Sequence, residues 1–219
     1  MSIRAASWLA WSLAVLSLAM FLASSALHVL SLSVAPDTQP TSTWDIVGEL
    51  LVFVPFLAFP LVGALIASKR PRNPIGWICL AAGLFWMLIF FGDYSLVPVP
   101  NSVAIDALTQ WTWVPPVGLL GIYMILLFPD GRLPSRRWRP LAWFAGAVMV
   151  LASVALTITP GQLEGHPGVR NPFGLEGYPL VTQALTGTIV LLPVCILASA
   201  ASLFVRYRHS GGEVRQQIK

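Results

Sequence analysis

The stretch LLVFVPFLAFPLVGALIAS, residues 50–68, carries no charge; KRPRNPIGW follows at 69–77, and ICLAAGLFWMLIFF at 78–91 is again uncharged. Crossing the hydrocarbon core of a bilayer takes roughly 20 apolar residues as a helix. Between two runs of that kind lie Lys69, Arg70 and Arg72, interleaved with Pro71 and Pro74. Proline pushes the residue before it out of the helical region, so Arg70 and Asn73 are expected outside helix, and Gly76 permits a turn. The segment reads as two membrane spans joined by a short basic connector. Trp77 stands where an indole anchors at headgroup level.

The same pattern continues in both directions. Uncharged stretches occupy 5–35, 50–68, 73–92, 107–129, 140–163 and 177–205. They predict an all-α, polytopic integral membrane protein with about six transmembrane helices, placed near 7–34, 46–68, 75–93, 108–128, 140–160 and 182–205. Of the 219 residues, 56% are hydrophobic and 10% charged, with a mean hydropathy of +0.75. Soluble domains carry about 25% charged residues, so too little polar sequence remains here to cover a buried core. Disorder is excluded as well, since it needs low hydrophobicity and high net charge. The expected organisation is a membrane domain over 1–207 and a basic cytoplasmic tail over 208–219. The first uncharged run exceeds the roughly 7–15 apolar residues of a secretory signal, so an uncleaved anchor is expected.

Orientation follows from the cations. Arg4, the Lys69–Arg72 group, Arg132, Arg136, Arg137 and Arg139, and finally Arg206, Arg208, Arg215 and Lys219 all fall on one side of a six-span chain. They are twelve of its thirteen basic residues; Arg170 alone falls on the other side. Lys and Arg concentrate on the cytoplasmic face, which places both termini in the cytoplasm. The net charge of +4 then reports topology, and no nucleic-acid partner is expected. The expected partner is the bilayer itself, through its anionic inner leaflet.

The connectors have their own chemistry. In FPDGRLPSRRWRP, residues 128–140, Pro129-Asp130-Gly131 is a turn signature, the arginines attract anionic lipid, and Trp138 is a second interfacial anchor. The outer segment 160–180 is rich in glycine and proline and reads as an irregular loop or cap. Pro55, Pro60, Pro115, Pro116 and Pro193 lie inside spans and predict kinks rather than breaks. Ser12, Ser17, Ser24, Ser25, Ser153 and Thr157 are expected to bond the preceding turn or a neighbouring helix. Ala142/Gly146 and Ala198/Ser202 have the four-residue spacing of close helix packing.

A search for reactive chemistry finds little. His28, His166 and His209 fall in different compartments, and Cys79 and Cys195 lie far apart in apolar runs, so neither a metal site nor a disulfide is expected. No nucleophile elbow, zinc-protease motif or phosphate-cradling glycine loop occurs. The chain is expected to have no catalytic residues and no cofactor, and neither to bind ATP nor to take up phosphate. The acids nearest the apolar phase are Asp45 and Glu49, four apart on one face of the second span, and Asp93 at the end of the third. Intramembrane acids are usually functional, which makes these three a candidate outward-facing polar site; wetted helix ends are the plainer reading. NPIG at 73–76 and NPFG at 171–174 hold equivalent places in two three-span halves, a faint sign of inverted repeats.

RPRNPIGWICLAAGL at 70–84, FPDGRLPSRRWRP at 128–140, NPFGL at 171–175 and RHSGGEVRQQIK at 208–219 occur in this order between spans. The set resembles the N-terminal membrane region of bacterial sensor histidine kinases, of a type frequent in actinobacteria. The resemblance covers about 150 residues (an order-of-magnitude span) and lies in the combination, since no one motif is catalytic. It implies a multi-pass protein of the bacterial plasma membrane that acts as the input module of a two-component system. In that family further membrane helices follow such a segment, then dimerisation, phosphoacceptor and ATP-binding domains, so the sequence is either a fragment of a homodimeric kinase or a relative that has lost its output half. His209 sits at a membrane exit and is not expected to be the phosphoacceptor. The alternative is a small permease-like or scaffold protein; an intramembrane enzyme would need a nucleophile–base pair, and none is found.

Overall fold

The computed structural model describes residues 2–34, 43–93, 102–163 and 168–209. Among them the chain is helical, apart from turns and one antiparallel bridge between Gln162 and Arg170. It divides into two compact units, Met1–Pro100 and Asn101–Lys219. Each holds three apolar helical segments.

In the first unit, α1 (Ile3–Val34) packs on α3 (Ala58–Lys69) and α4 (Pro74–Asp93), and α2 (Thr43–Phe53) runs into α3 through a 3₁₀ turn at Val54–Leu57. Small residues make the close approach. Ala6, Ala10, Ala14 and Ser17 are buried along one face of α1, and Ala10 and Ala14 meet Ala64, Ala67 and Leu80. Without a hydrophobic drive between helices in lipid, such small faces supply contact area by letting backbones approach. The opposite face of α1 carries Trp8, Val15 and Leu22, exposed at 78%, 62% and 58%. Water is a poor solvent for that surface; lipid is a good one. Ser24 reaches across to the carbonyl of Phe90 at 2.6 Å, whereas Ser12, Ser17 and Ser25 bond carbonyls one turn back in α1.

In the second unit, α5 (Ser102–Thr109) leads by turns into α6 (Val114–Gly118), a π-helical segment (Leu119–Met124) and α7 (Ile125–Leu127). A 3₁₀ turn at Arg136–Trp138 opens α8 (Arg139–Ile158); α9 (Pro179–Gly187) joins α10 (Leu191–His209) through another at Thr188–Val190. The core gathers Val114, Ile122, Leu126, Ala145, Val148, Ala152, Leu192 and Cys195. Tyr123 donates its hydroxyl to the Ala142 carbonyl at 2.7 Å. A Cβ on Gly146 would stand 2.8 Å from that hydroxyl oxygen, so the Ala142/Gly146 pair serves a tyrosine rather than a bare helix backbone.

Among the described residues, five segments are long and apolar enough to cross a membrane: Ile3–Leu27, Leu51–Lys69, Ala107–Leu127, Arg136–Ile158 and Pro179–Arg206. The third expected span, 75–93, corresponds to α4, whose apolar part, Pro74–Phe90, is shorter. Four of the five span prolines coincide with a helix distortion through the bond each one removes; Pro55 stands within a 3₁₀ turn itself, and the residue four back, Leu51, is still in α2. Proline offers no N–H to the carbonyl four residues back; for Pro60 that is Phe56, for Pro115 and Pro116 Trp111 and Thr112, and for Pro193 Ile189. Each of these carbonyl residues lies in a segment that has left α-helical bonding: the two 3₁₀ turns and the 110–113 turn.

Candidate functional site

In the first unit the backbone of Asp45 and Glu49 belongs to α2, and Asp93 ends α4. Their side chains lie outside the described residues, so the candidate acidic site is placed only by its backbone. The C-terminal end of α2 meets the last turns of α4. Phe53, four residues after Glu49, and Phe90, three before Asp93, have ring centroids 4.0 Å apart. Phe56 and Trp86 extend this aromatic cluster, with centroids 4.7 Å apart.

Among the described residues, the 160–180 loop of the second unit is built, not irregular throughout. Asn171, 9% exposed, donates its amide to the carbonyls of both Thr157 and Thr159 at 2.9 Å, so it caps the end of α8. Leu175 N–H adds a bond to Ile158 O, and Asn171 N–H one to Gly161 O. Glu176 pairs with Arg170 at 3.0 Å on the exposed surface. The carboxamide oxygen of Asn171 accepts from Phe173 N–H at 3.0 Å, and that of Asn73 accepts from Ile75 N–H at the same distance. The NPIG and NPFG echo is therefore shared turn chemistry. In the first unit the turn opens α4 directly; in the second it closes α8.

On the basic side of the first unit, Lys69 ends α3, and Arg70 and Arg72 lie in the turn; all three are exposed. Trp77 donates its indole N–H to the Pro71 carbonyl at 2.9 Å, so it braces the turn as well as standing at its rim. In the second unit the expected turn at Pro129–Gly131 forms, with Gly131 at φ 72 and its N–H on Leu127 O at 2.7 Å. Positive φ favours glycine.

Arg206, near the end of α10, holds this turn. Its guanidinium donates to the carbonyls of Leu126, at 2.9 Å, and of Phe128 and Arg132. These carbonyls lie at the C-terminal end of α7 and just beyond, where helix carbonyls lack partners and the dipole favours a cation. Arg132, Arg137 and Arg206 line one cavity; Arg136 and Arg139 do not. Of the basic loop residues expected to meet the inner leaflet, the fold thus draws two together with an arginine that the charge pattern placed only in the tail group. Its one sequence signal is position: Arg206 is the first charge after the uncharged run 177–205.

Among the described residues, no group of three or more His, Cys, Asp or Glu could hold a metal ion. No protein-family model, curated protein or solved structure matches the chain.

Proposed function

We propose that this chain is the membrane input region of a bacterial sensor histidine kinase, crossing the plasma membrane six times with both termini in the cytoplasm. The observation that carries the reading is the ordered set RPRNPIGWICLAAGL, FPDGRLPSRRWRP, NPFGL and RHSGGEVRQQIK, separated by apolar segments. Local structure supports treating the first three as functional units of the fold, because each is a turn fastened by side chain–carbonyl bonds. In this role the helices transmit a change in the outer half, or in the bilayer, to a cytoplasmic exit. The candidate sensing element is the outer end of α2 and α4, with Asp45, Glu49 and Asp93 above the Phe53–Phe90 contact.

Topology is checked first. Reporter fusions at Pro71, Ser135 and the C-terminus are expected to report the cytoplasm, and fusions at Gln39, Asn101 and Gly165 the outside, because cations concentrate inside. An outside signal from Ser135 rejects the six-span arrangement.

Function is checked by joining residues 1–219 in frame to a dimerising histidine kinase core with a transcriptional reporter. Glu49→Gln is expected to shift reporter output at unchanged expression and topology. Identical output from Asp45→Asn, Glu49→Gln, Asp93→Asn and the parent rejects the outer acidic site. Output equal to that of the kinase core alone rejects the input-region reading.

A further inference from the structure

The cavity beside Arg206 has a volume of about 910 Å³ and is lined by three guanidinium-bearing residues, Arg132, Arg137 and Arg206, against one carboxylate, Asp130. We infer that it is a binding site for a phosphate group, that of an anionic lipid headgroup at the inner face of the membrane.

The argument starts from Arg206. Three of its four Nη–H donors are taken by carbonyls, which fix the guanidinium without neutralising it. The positive charge is therefore pre-positioned in the cavity wall. Arg132 and Arg137 are exposed, and among the described residues no acidic side chain forms an ion pair with either. Planar guanidinium forks match phosphate oxygens in bidentate fashion and are less strongly hydrated than lysine ammoniums. The surplus of two positive charges (three arginines against Asp130) suits a phosphodiester.

The lining favours a lipid over a free ion. Trp138 and Val205 also line the cavity, and offer apolar surface to the glycerol and first acyl carbons. Val205 and Arg206 close an apolar segment, Pro179–Arg206, long enough to cross a membrane. The cavity thus opens where headgroups lie, and basic pockets between membrane helices on the cytoplasmic side are known headgroup sites in general. The inference rests on membrane insertion with this face inward, and not on the kinase reading.

Native mass spectrometry of the full chain in detergent tests it, with phosphatidylglycerol or phosphatidylcholine added at equal concentration. Phosphatidylglycerol is expected to stay bound and phosphatidylcholine to be lost. Arg132→Gln with Arg137→Gln should weaken retention about tenfold or more, as expected for losing charge-assisted bonds. Arg136→Gln with Arg139→Gln removes equal charge outside the cavity and should change retention little. Unchanged melting in lipid-free detergent verifies the fold of both variants. Equal retention of the two lipids, or equal loss in the two double variants, overturns the site. Binding of inorganic phosphate alone, without phosphatidylglycerol, keeps the phosphate site and overturns the lipid as its source.

Discussion

Arg206→Leu is expected to destabilise the second unit by about 2–4 kcal/mol, measured by reversible unfolding of the purified chain in mixed detergent micelles. Three carbonyls lose their donor at once, those of Leu126, Phe128 and Arg132. A hydrogen bond to a charged group contributes about 1.5–3 kcal/mol, yet the effects do not add. Arg132 is exposed, so water replaces the lost donor there. Leu126 is fully buried, and its carbonyl has no such replacement. Leucine keeps most of the apolar stem, which isolates the loss of the donors. Arg206→Lys should recover only part of the stability, because an ammonium on a flexible stem cannot match the planar fork that spans three acceptors. If Arg206→Leu unfolds within about 0.5 kcal/mol of the parent, the range of ordinary surface substitutions, the arginine is merely reaching for water and does not clamp the turn.

That contact shows what a sequence of this class conveys and what it withholds. The long apolar helices, five of the six expected among the described residues, were legible because hydrocarbon favours backbone that satisfies its own hydrogen bonds, so a helical crossing is a long uncharged run. The helix distortions were legible because proline always lacks the same donor; Pro60, Pro115 and Pro193 each disturb the turn before them. The packing faces were legible only in part. Ala6, Ala10 and Ala14 have the four-residue spacing of close helix packing, but lipid and protein neighbours are equally apolar, so the spacing does not say which helix they meet. Arg206 and Phe128 lie 78 residues apart, and no local pattern announces their meeting. Asp45, Glu49 and Asp93 were legible as the acids nearest the apolar phase, but what their side chains touch lies outside the described residues.

The second large effect is expected at Gly63, in the crossing of α3 and α4. A Cβ there would stand 2.7 Å from the backbone nitrogen of Leu80 and 2.8 Å from the carbonyl oxygen of Gly76. Neither atom can rotate away as a side chain would, so the helices must separate. Gly63→Ala is therefore placed near the upper end of the 1–3 kcal/mol typical of overpacking, at about 3 kcal/mol. This loss overrides the gain of up to about 1 kcal/mol that alanine brings to a helix interior. Gly48→Ala is the internal control: nothing lies within 4 Å of its added Cβ, and it should be neutral or slightly stabilising. Gly76 faces the same gap from the other helix, where a Cβ would meet the Ala67 nitrogen at 2.7 Å and the Gly63 oxygen at 3.0 Å. Once one alanine has pushed the backbones apart, the second enters a gap already opened. The double variant Gly63→Ala/Gly76→Ala should lose less than the sum of the single losses, the signature of residues coupled through one shared backbone shift. Strict additivity would mean that each glycine relaxes locally and that the close crossing does not hold the pair together. Stability of Gly63→Ala equal to that of Gly48→Ala would reject the crossing itself.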